Sequence, residues 1–159
     1  VYKRQNVDRL VICDGDDKMD FSYKNGINVD DYNRLRDAVG WDTLNKEQAQ
    51  AGINRSRMVV SCYEKNKIIG SARILWDGGY IAYLADVMVL PSHQGFGIGK
   101  KMVGELILFL KSQLKSEWKI KIVLISAKGK EPFYEKLGFI KRPNENDGAG
   151  MNMWIKYDE

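Results

Sequence analysis

Residues 84–110, LADVMVLPSHQGFGIGKKMVGELILFL, constrain this chain more than any other stretch, because they spell a buried strand, a glycine-rich turn and an amphipathic helix in unbroken succession. Val87, Val89 and Leu90 give the β-branched and apolar run of a central strand, which Pro91 ends. Gly95, Gly97 and Gly99 then let the backbone turn tightly and approach a bound group with no Cβ in the way. From Ile98 onward, Met102, Val103, Leu106, Ile107, Leu110 and Leu114 recur at three- and four-residue steps, predicting a helix packed on a sheet. The glycines fall at its N-terminus, where first-turn amides without intrahelical partners and the helix dipole suit a phosphate. A merely tight connection would be built from the same residues.

Two nucleotide patterns fail at named positions. A Walker A loop, G-x-x-x-x-G-K-S/T, would need glycine where Lys100 stands five residues after Gly95. A dinucleotide fingerprint, G-x-G-x-x-G, runs from Gly95 and Gly97 into Lys100, and from Gly97 and Gly99 into Met102.

The rest of the chain reads as one mixed domain over 19–159, preceded by residues 1–18, an extension whose only strand candidate is RLVIC. Met19–Ile27 predicts a strand. Asn28 predicts a cap for a helix carrying Tyr32, Leu35 and Val39 on one face and stopping at Gly40, and a second helix is expected after Thr43, through Leu44 to Ile53. Arg57–Tyr63, Lys67–Trp76 and Tyr80–Leu90 predict an antiparallel meander, with Gly70 marking a bulge or a close approach. Lys119–Ser126 predicts a strand parallel to its predecessor, because a helix connects them. A short helix over Lys130–Leu137, a strand from Phe139-Ile140 and a last strand over Met151–Tyr157 complete the reading.

Composition excludes several classes. The 159 residues are 44% hydrophobic and 29% charged, ordinary for a globular domain, and the net charge of +4 is spread too widely for a dedicated nucleic-acid binder. No apolar run approaches a membrane span and no h-region opens the chain, so a cytoplasmic protein is expected. Cys13, Cys62 and the single His93 are too few and too scattered for a zinc site, so no metal is expected, and both cysteines are expected as reduced thiols.

Gln94-x-x-Gly97-x-Gly99, preceded by Val87-x-Val89-x-Pro91, resembles the acetyl-CoA motif of the GCN5-related N-acetyltransferases, and Phe133-Tyr134-x-x-x-Gly138-Phe139 resembles that family's F-Y-x-x-x-G-F segment. The resemblance implies an α+β fold: a mostly antiparallel twisted sheet of six to seven strands with one parallel βαβ crossover and about four flanking helices. It implies acetyl-CoA as donor, held by the backbone of Gln94, Gly95, Phe96, Gly97, Ile98, Gly99 and Lys100, with the thioester carbonyl against Met88 or Val89.

By the same resemblance the hydroxyl of Tyr134 faces the CoA sulfur, so Tyr134 is both a cofactor contact and the expected general acid, since a phenol with a pKa near 10 is protonated at neutral pH and matched to a thiolate leaving group. The bland alternative is a tyrosine bonding through its hydroxyl at the edge of the core. By strand alternation Asp86 is expected on the same face as Leu84 and Met88, either as a base or orienting group for the amine, or as a buried carboxylate bonded to backbone amides. Tyr32, Arg36, Trp41 and Tyr83 are candidate acceptor contacts, against a reading as core aromatics and a surface charge. The implied reaction is acetyl transfer to a small-molecule primary amine, with a protein amine acceptor and a non-catalytic CoA sensor as alternatives. Pairing of Met151–Tyr157 between two copies would allow a homodimer.

Overall fold

The computed structural model describes residues 20–156, so RLVIC, Cys13 and the last residues of the expected final strand lie outside the described residues. The chain forms two compact units, 20–123 and 124–156.

The first unit runs β1 (Phe21–Asn25), α1 (Val29–Ala38), α2 (Lys46–Arg55), β2 (Met58–Glu64), β3 (Lys67–Trp76), β4 (Ile81–Val89), α3 (Ile98–Gln113) and β5 (Lys121–Val123). Its sheet has the order β1-β2-β3-β4-β5, antiparallel through β4. β4 and β5 pair in parallel, as a crossover helix requires. Lys65 and Asn66, both at positive φ, make the two-residue connection between β2 and β3. Asn28 caps α1 by accepting the Asp31 amide at 2.8 Å. α2 begins at Lys46, later than Thr43 suggested, because the Asn45 side chain accepts the Glu47 amide at 2.8 Å and fixes the start there.

The sheet separates two apolar layers. Gly70 faces α3: a Cβ there would meet Met88 O at 3.0 Å and the Met102 methyl at 3.1 Å, so the close approach expected at this glycine is real. The bulge is real too, since Cys62 pairs with Gly70 but Tyr63 with Ile68, leaving Ile69 extra on β3. Ile98, Met102, Val103, Leu106 and Leu110 of α3 are buried. On the other face Tyr32, Leu35, Ala49 and Ile53 of α1 and α2 pack with Ile68 and Met88.

The second unit holds α4 (Glu131–Glu135) and, among the described residues, no strand. The mixed α+β class therefore holds, with five strands among the described residues where six to seven were expected. The strands expected from Phe139-Ile140 and over Met151–Tyr157 do not form within 124–156. Their apolar residues give strand propensity, but a strand exists only with a ladder partner, and Ile140, Met151, Met153, Trp154 and Ile155 stay exposed. β5 likewise stops at Val123, short of Ser126.

Candidate active site

β4 and the turn that follows it collect most of the expected site residues in the first unit. A 3-10 turn, Pro91–His93, leaves β4, and the Gln94 side-chain amide reaches back to donate to the Val89 carbonyl at 3.1 Å. Gly95 and Gly97 lie at φ +89° and +78°, and an added Cβ at either meets nothing within 4 Å. Gly97 is the cap residue of α3 in the left-handed conformation and has no side chain to offer the first-turn amides. The first intrahelical bond there runs from Lys101 N to Gly97 O at 2.9 Å. The turn thus presents uncapped amides at a helix start with open space in front of its glycines, the donor set a pyrophosphate requires. Ile98 is buried, Phe96 is exposed beside the amides, and Lys100 is exposed on the first turn of α3.

Upstream, β4 is irregular in a way that changes the expected geometry. Ser71 pairs with Met88 and Arg73 with Ala85, so Asp86 and Val87 together oppose the single Ala72. Asp86 is the bulged residue, at φ +49°. Cross-strand partners share a face, so Ala85, Arg73, Ser71 and Met88 face α1 and α2, whereas Leu84, opposite Ile74, faces α3. The expectation that Asp86 shares a face with both Leu84 and Met88 is corrected accordingly. The inserted residue reverses the alternation between them.

The Asp86 carboxylate is the centre of a charged knot. Its Oδ2 accepts from the Tyr32 hydroxyl at 2.6 Å and from Arg73 Nε at 2.5 Å, and Arg36 Nη1 lies 3.8 Å from Oδ1. Arg73 also donates to the Ser56 hydroxyl at 3.1 Å and, from the same nitrogen, to the Gly52 carbonyl at 3.5 Å, at the C-terminal end of α2. Arg36 donates to the Asp42 carbonyl at 2.8 Å and lies over the rings of Tyr32 and Trp41. Tyr32 is only 2% exposed, and burial, followed by the hydrogen bond and charge of Asp86, pushes its phenol above the ordinary value against the opposing pull of Arg73 and Arg36. It therefore stays a proton donor to Asp86.

Two of the four expected acceptor contacts, Tyr32 and Arg36, thus meet at Asp86, and a third, Trp41, lies against Arg36. Tyr83 shares the face of Arg73 and Ala85, half-exposed, but its backbone pairs with Leu75 and Val123 and it takes no part in the knot. Asp86 bonds side chains rather than the backbone amides weighed for it. Arg73 escaped the sequence reading altogether. Its signal is a single guanidinium inside the otherwise uncharged run Ile68–Trp76.

β4 also has an open edge. Pairing with β5 covers only Ile81, Ala82 and Tyr83, so Leu84–Val89 continue with no strand on that side among the described residues. Leu90 N donates to Ile69 O on β3 at 2.8 Å. By backbone alternation the preceding Val89 N–H then points away from β3, to the open edge.

His93 and Cys62 take no part in the knot. His93 Nε2 is 3.3 Å from a Glu64 carboxylate oxygen and its Nδ1 2.8 Å from the Ser92 hydroxyl, tying the 3-10 turn to the end of β2. Cys62 is buried as a free thiol, and burial pushes it up to about 11. In the second unit, Tyr134 on α4 is half-buried with its ring edge-to-face between Phe133 and Phe139, centroids 4.9 and 5.9 Å away. No group of three or more potential metal ligands occurs among the described residues, and no helix among them is long and apolar enough to cross a membrane.

Comparison with known proteins agrees with this geometry. Residues 54–141 match the family model described as an acetyltransferase (GNAT) domain, which spans β2, the loop and the Tyr134 segment. The uncharacterized N-acetyltransferase ycf52 of Pyropia yezoensis is 31% identical over 160 residues, covering 94% of this chain and 88% of that protein. The crystal structure of a probable acetyltransferase from meticillin-resistant Staphylococcus aureus superposes with a TM-score of 0.74 at 28% identity, over 86% of this chain and 99% of the other. A GNAT family acetyltransferase from Streptococcus pneumoniae follows at TM-score 0.70 and 25% identity, over 87% and 99%. With the uncapped turn, the open strand edge and the family match in agreement, this chain is an acyltransferase and belongs to the GCN5-related N-acetyltransferase family.

Proposed function

We propose that the enzyme moves an acetyl group from acetyl-CoA to the primary amine of a small molecule by direct attack in a ternary complex. The observation that carries this reading is the succession along one strand of an edge, Leu84–Val89, with no strand against it among the described residues, and an uncapped helix start at Gly97. The residues present fit the donor that the family implies. Amides around Gly95–Lys100 would hold its pyrophosphate, and Lys100 would add positive charge.

When bound, acetyl-CoA supplies a thioester whose carbonyl carbon takes the amine lone pair as the C–S bond breaks. Val89 N–H is the donor for the carbonyl oxygen as it gains negative charge; Leu90 N–H is already engaged by β3, which favours Val89 over Met88. Tyr134 O–H gives its proton to the leaving thiolate, following the family's F-Y-x-x-x-G-F segment. Asp86 Oδ2 is taken by Tyr32 and Arg73, and Oδ1, 3.8 Å from Arg36 Nη1, is the oxygen that orients the acceptor's ammonium and takes its proton, directly or through a water, so that the lone pair is free to attack. Its side chain is 15% exposed, as is that of Arg36, and such a recessed, charged corner suits a small amine better than an extended peptide.

A thiol-release assay with acetyl-CoA against matched panels of small amines and peptides tests the substrate class. Turnover confined to the peptides would overturn it. Tyr134→Phe should lower kcat by about 10²-fold with acetyl-CoA affinity retained. An unchanged kcat, with chemistry rate-limiting, removes Tyr134 as the acid.

A further inference from the structure

We propose that Arg73 is a positioning residue for acyl transfer: by fastening Asp86 it holds the β4 bulge that turns the Val89 N–H to the open edge of the strand. The inference rests on the reading of Val89 N–H as the carbonyl donor. It concerns how that amide comes to face the right way.

The bulge decides the direction. Before it, even-numbered residues face β5: Tyr80 O accepts from Lys121 N at 2.6 Å, and Ala82 pairs with Ile122. After it, Leu90 N bonds β3, so odd-numbered residues point outward. Removing the extra residue from the register would exchange the two sets, because a one-residue slip reverses every group along a strand. Val89 N–H would then turn into the sheet.

Something must hold Asp86 in the left-handed region, which costs a non-glycine residue about 1 kcal/mol relative to extended backbone. Glycine would remove that cost, and here a carboxylate stands instead. Its two shortest bonds come from Tyr32 on α1 and Arg73 on β3. Arg73 is the stronger tether. Paired across from Ala85, the residue just before the bulge, it reaches Asp86 with Nε and the end of α2 with Nη1, at Ser56 and the Gly52 carbonyl. The negative end of a helix favours a cation there. One guanidinium therefore fixes the bulge against a second element, a geometry that a lysine ammonium, a single point of charge, does not reproduce.

Isotope-edited infrared spectroscopy of [1-13C]acetyl-CoA bound to the enzyme reads the result directly. In the wild type the thioester carbonyl band should lie at lower frequency than in free acetyl-CoA, as for any carbonyl accepting a hydrogen bond. In Arg73→Met the band should return toward the free position while kcat falls by about 10²-fold and KM for acetyl-CoA changes by less than about threefold, since a small misplacement of the donor is felt mainly in chemistry. A wild-type band at the free position overturns the Val89 reading, and this inference with it. A lowered wild-type band that persists in Arg73→Met overturns the role of Arg73 alone. If the methionine variant does not fold, Arg73→Lys carries the test, with a band between the free and wild-type positions expected. A wild-type band with wild-type kcat in the lysine variant overturns the inference.

Discussion

The glycine turn after β4 and the Asp86 knot within it shape adjacent parts of one strand by opposite means. In the turn, side chains are absent: Gly95 and Gly97 adopt positive φ with empty space where a Cβ would stand. In the knot, a non-glycine residue adopts the same region of backbone space and is held by charge, through Tyr32 and Arg73. The turn needs free amides for a ligand, and any side chain would obstruct them. The knot needs only a fixed backbone, and side chains from two other elements supply it. Damage to the turn should therefore appear in cofactor affinity, and damage to the knot in stability and chemistry.

The largest expected effect is at the turn. Gly97→Val places a β-branched side chain at φ +78°, which costs about 1–3 kcal/mol of strain in the folded protein. The new methyl groups also enter the space before the first-turn amides. Acetyl-CoA affinity, measured by calorimetry, should fall by about 10²-fold, while the denaturation midpoint moves by no more than the strain accounts for. Unchanged affinity would show that the turn is only a tight connection, and the contrast with Asp86 would collapse.

A smaller effect, with the opposite signature, is expected at Asp86→Asn. The change leaves the Arg36 and Arg73 charges, with side chains 15% and 18% exposed, without their carboxylate. Removing one partner of a fully buried pair costs 3–5 kcal/mol, and partial exposure lowers the expectation to about 2 kcal/mol in urea unfolding. Acetyl-CoA affinity should stay near the wild-type value. A loss of affinity like that of the Gly97 variant would mean that knot and turn are one mechanical unit rather than two.

The two regions also differ in how much the sequence discloses. The turn is local: strand, proline, glycines and apolar stripe are contiguous, and their periodicities name the strand, the helix and the parallel crossover before any coordinates. The knot joins residues 13 and 54 positions apart. Nothing in ADVMV reveals the extra residue that reverses alternation after Asp86, because a bulge is a property of two strands in register and not of one. Arg73 reads in isolation as an outward-facing charge on a half-buried strand. The missing C-terminal strands are the same limit in reverse, since Met151–Ile155 has the composition of a strand and no ladder partner among the described residues.

The smallest effect isolates one bond of the knot. Tyr32→Phe removes the hydroxyl that donates to Asp86 and should cost about 1.5 kcal/mol at neutral pH, the lower end of the net worth of one hydrogen bond to a charged acceptor, because the site is only partly buried. The pH dependence gives this difference a sign. The folded-state pKa of Tyr32 is raised above 10.0, so its contribution is fully present below pH 10 and is lost as pH rises through the folded value. The wild-type and Tyr32→Phe stability curves should therefore run apart at pH 7–9 and converge above pH 10. Cys62, whose thiol is pushed up to about 11, and Tyr63, also raised by burial, make both proteins less stable over a similar alkaline range, and their share cancels in the difference. Curves that stay parallel through pH 11 would mean that the phenol does not sense Asp86, leaving Arg73 as the tether of the bulge.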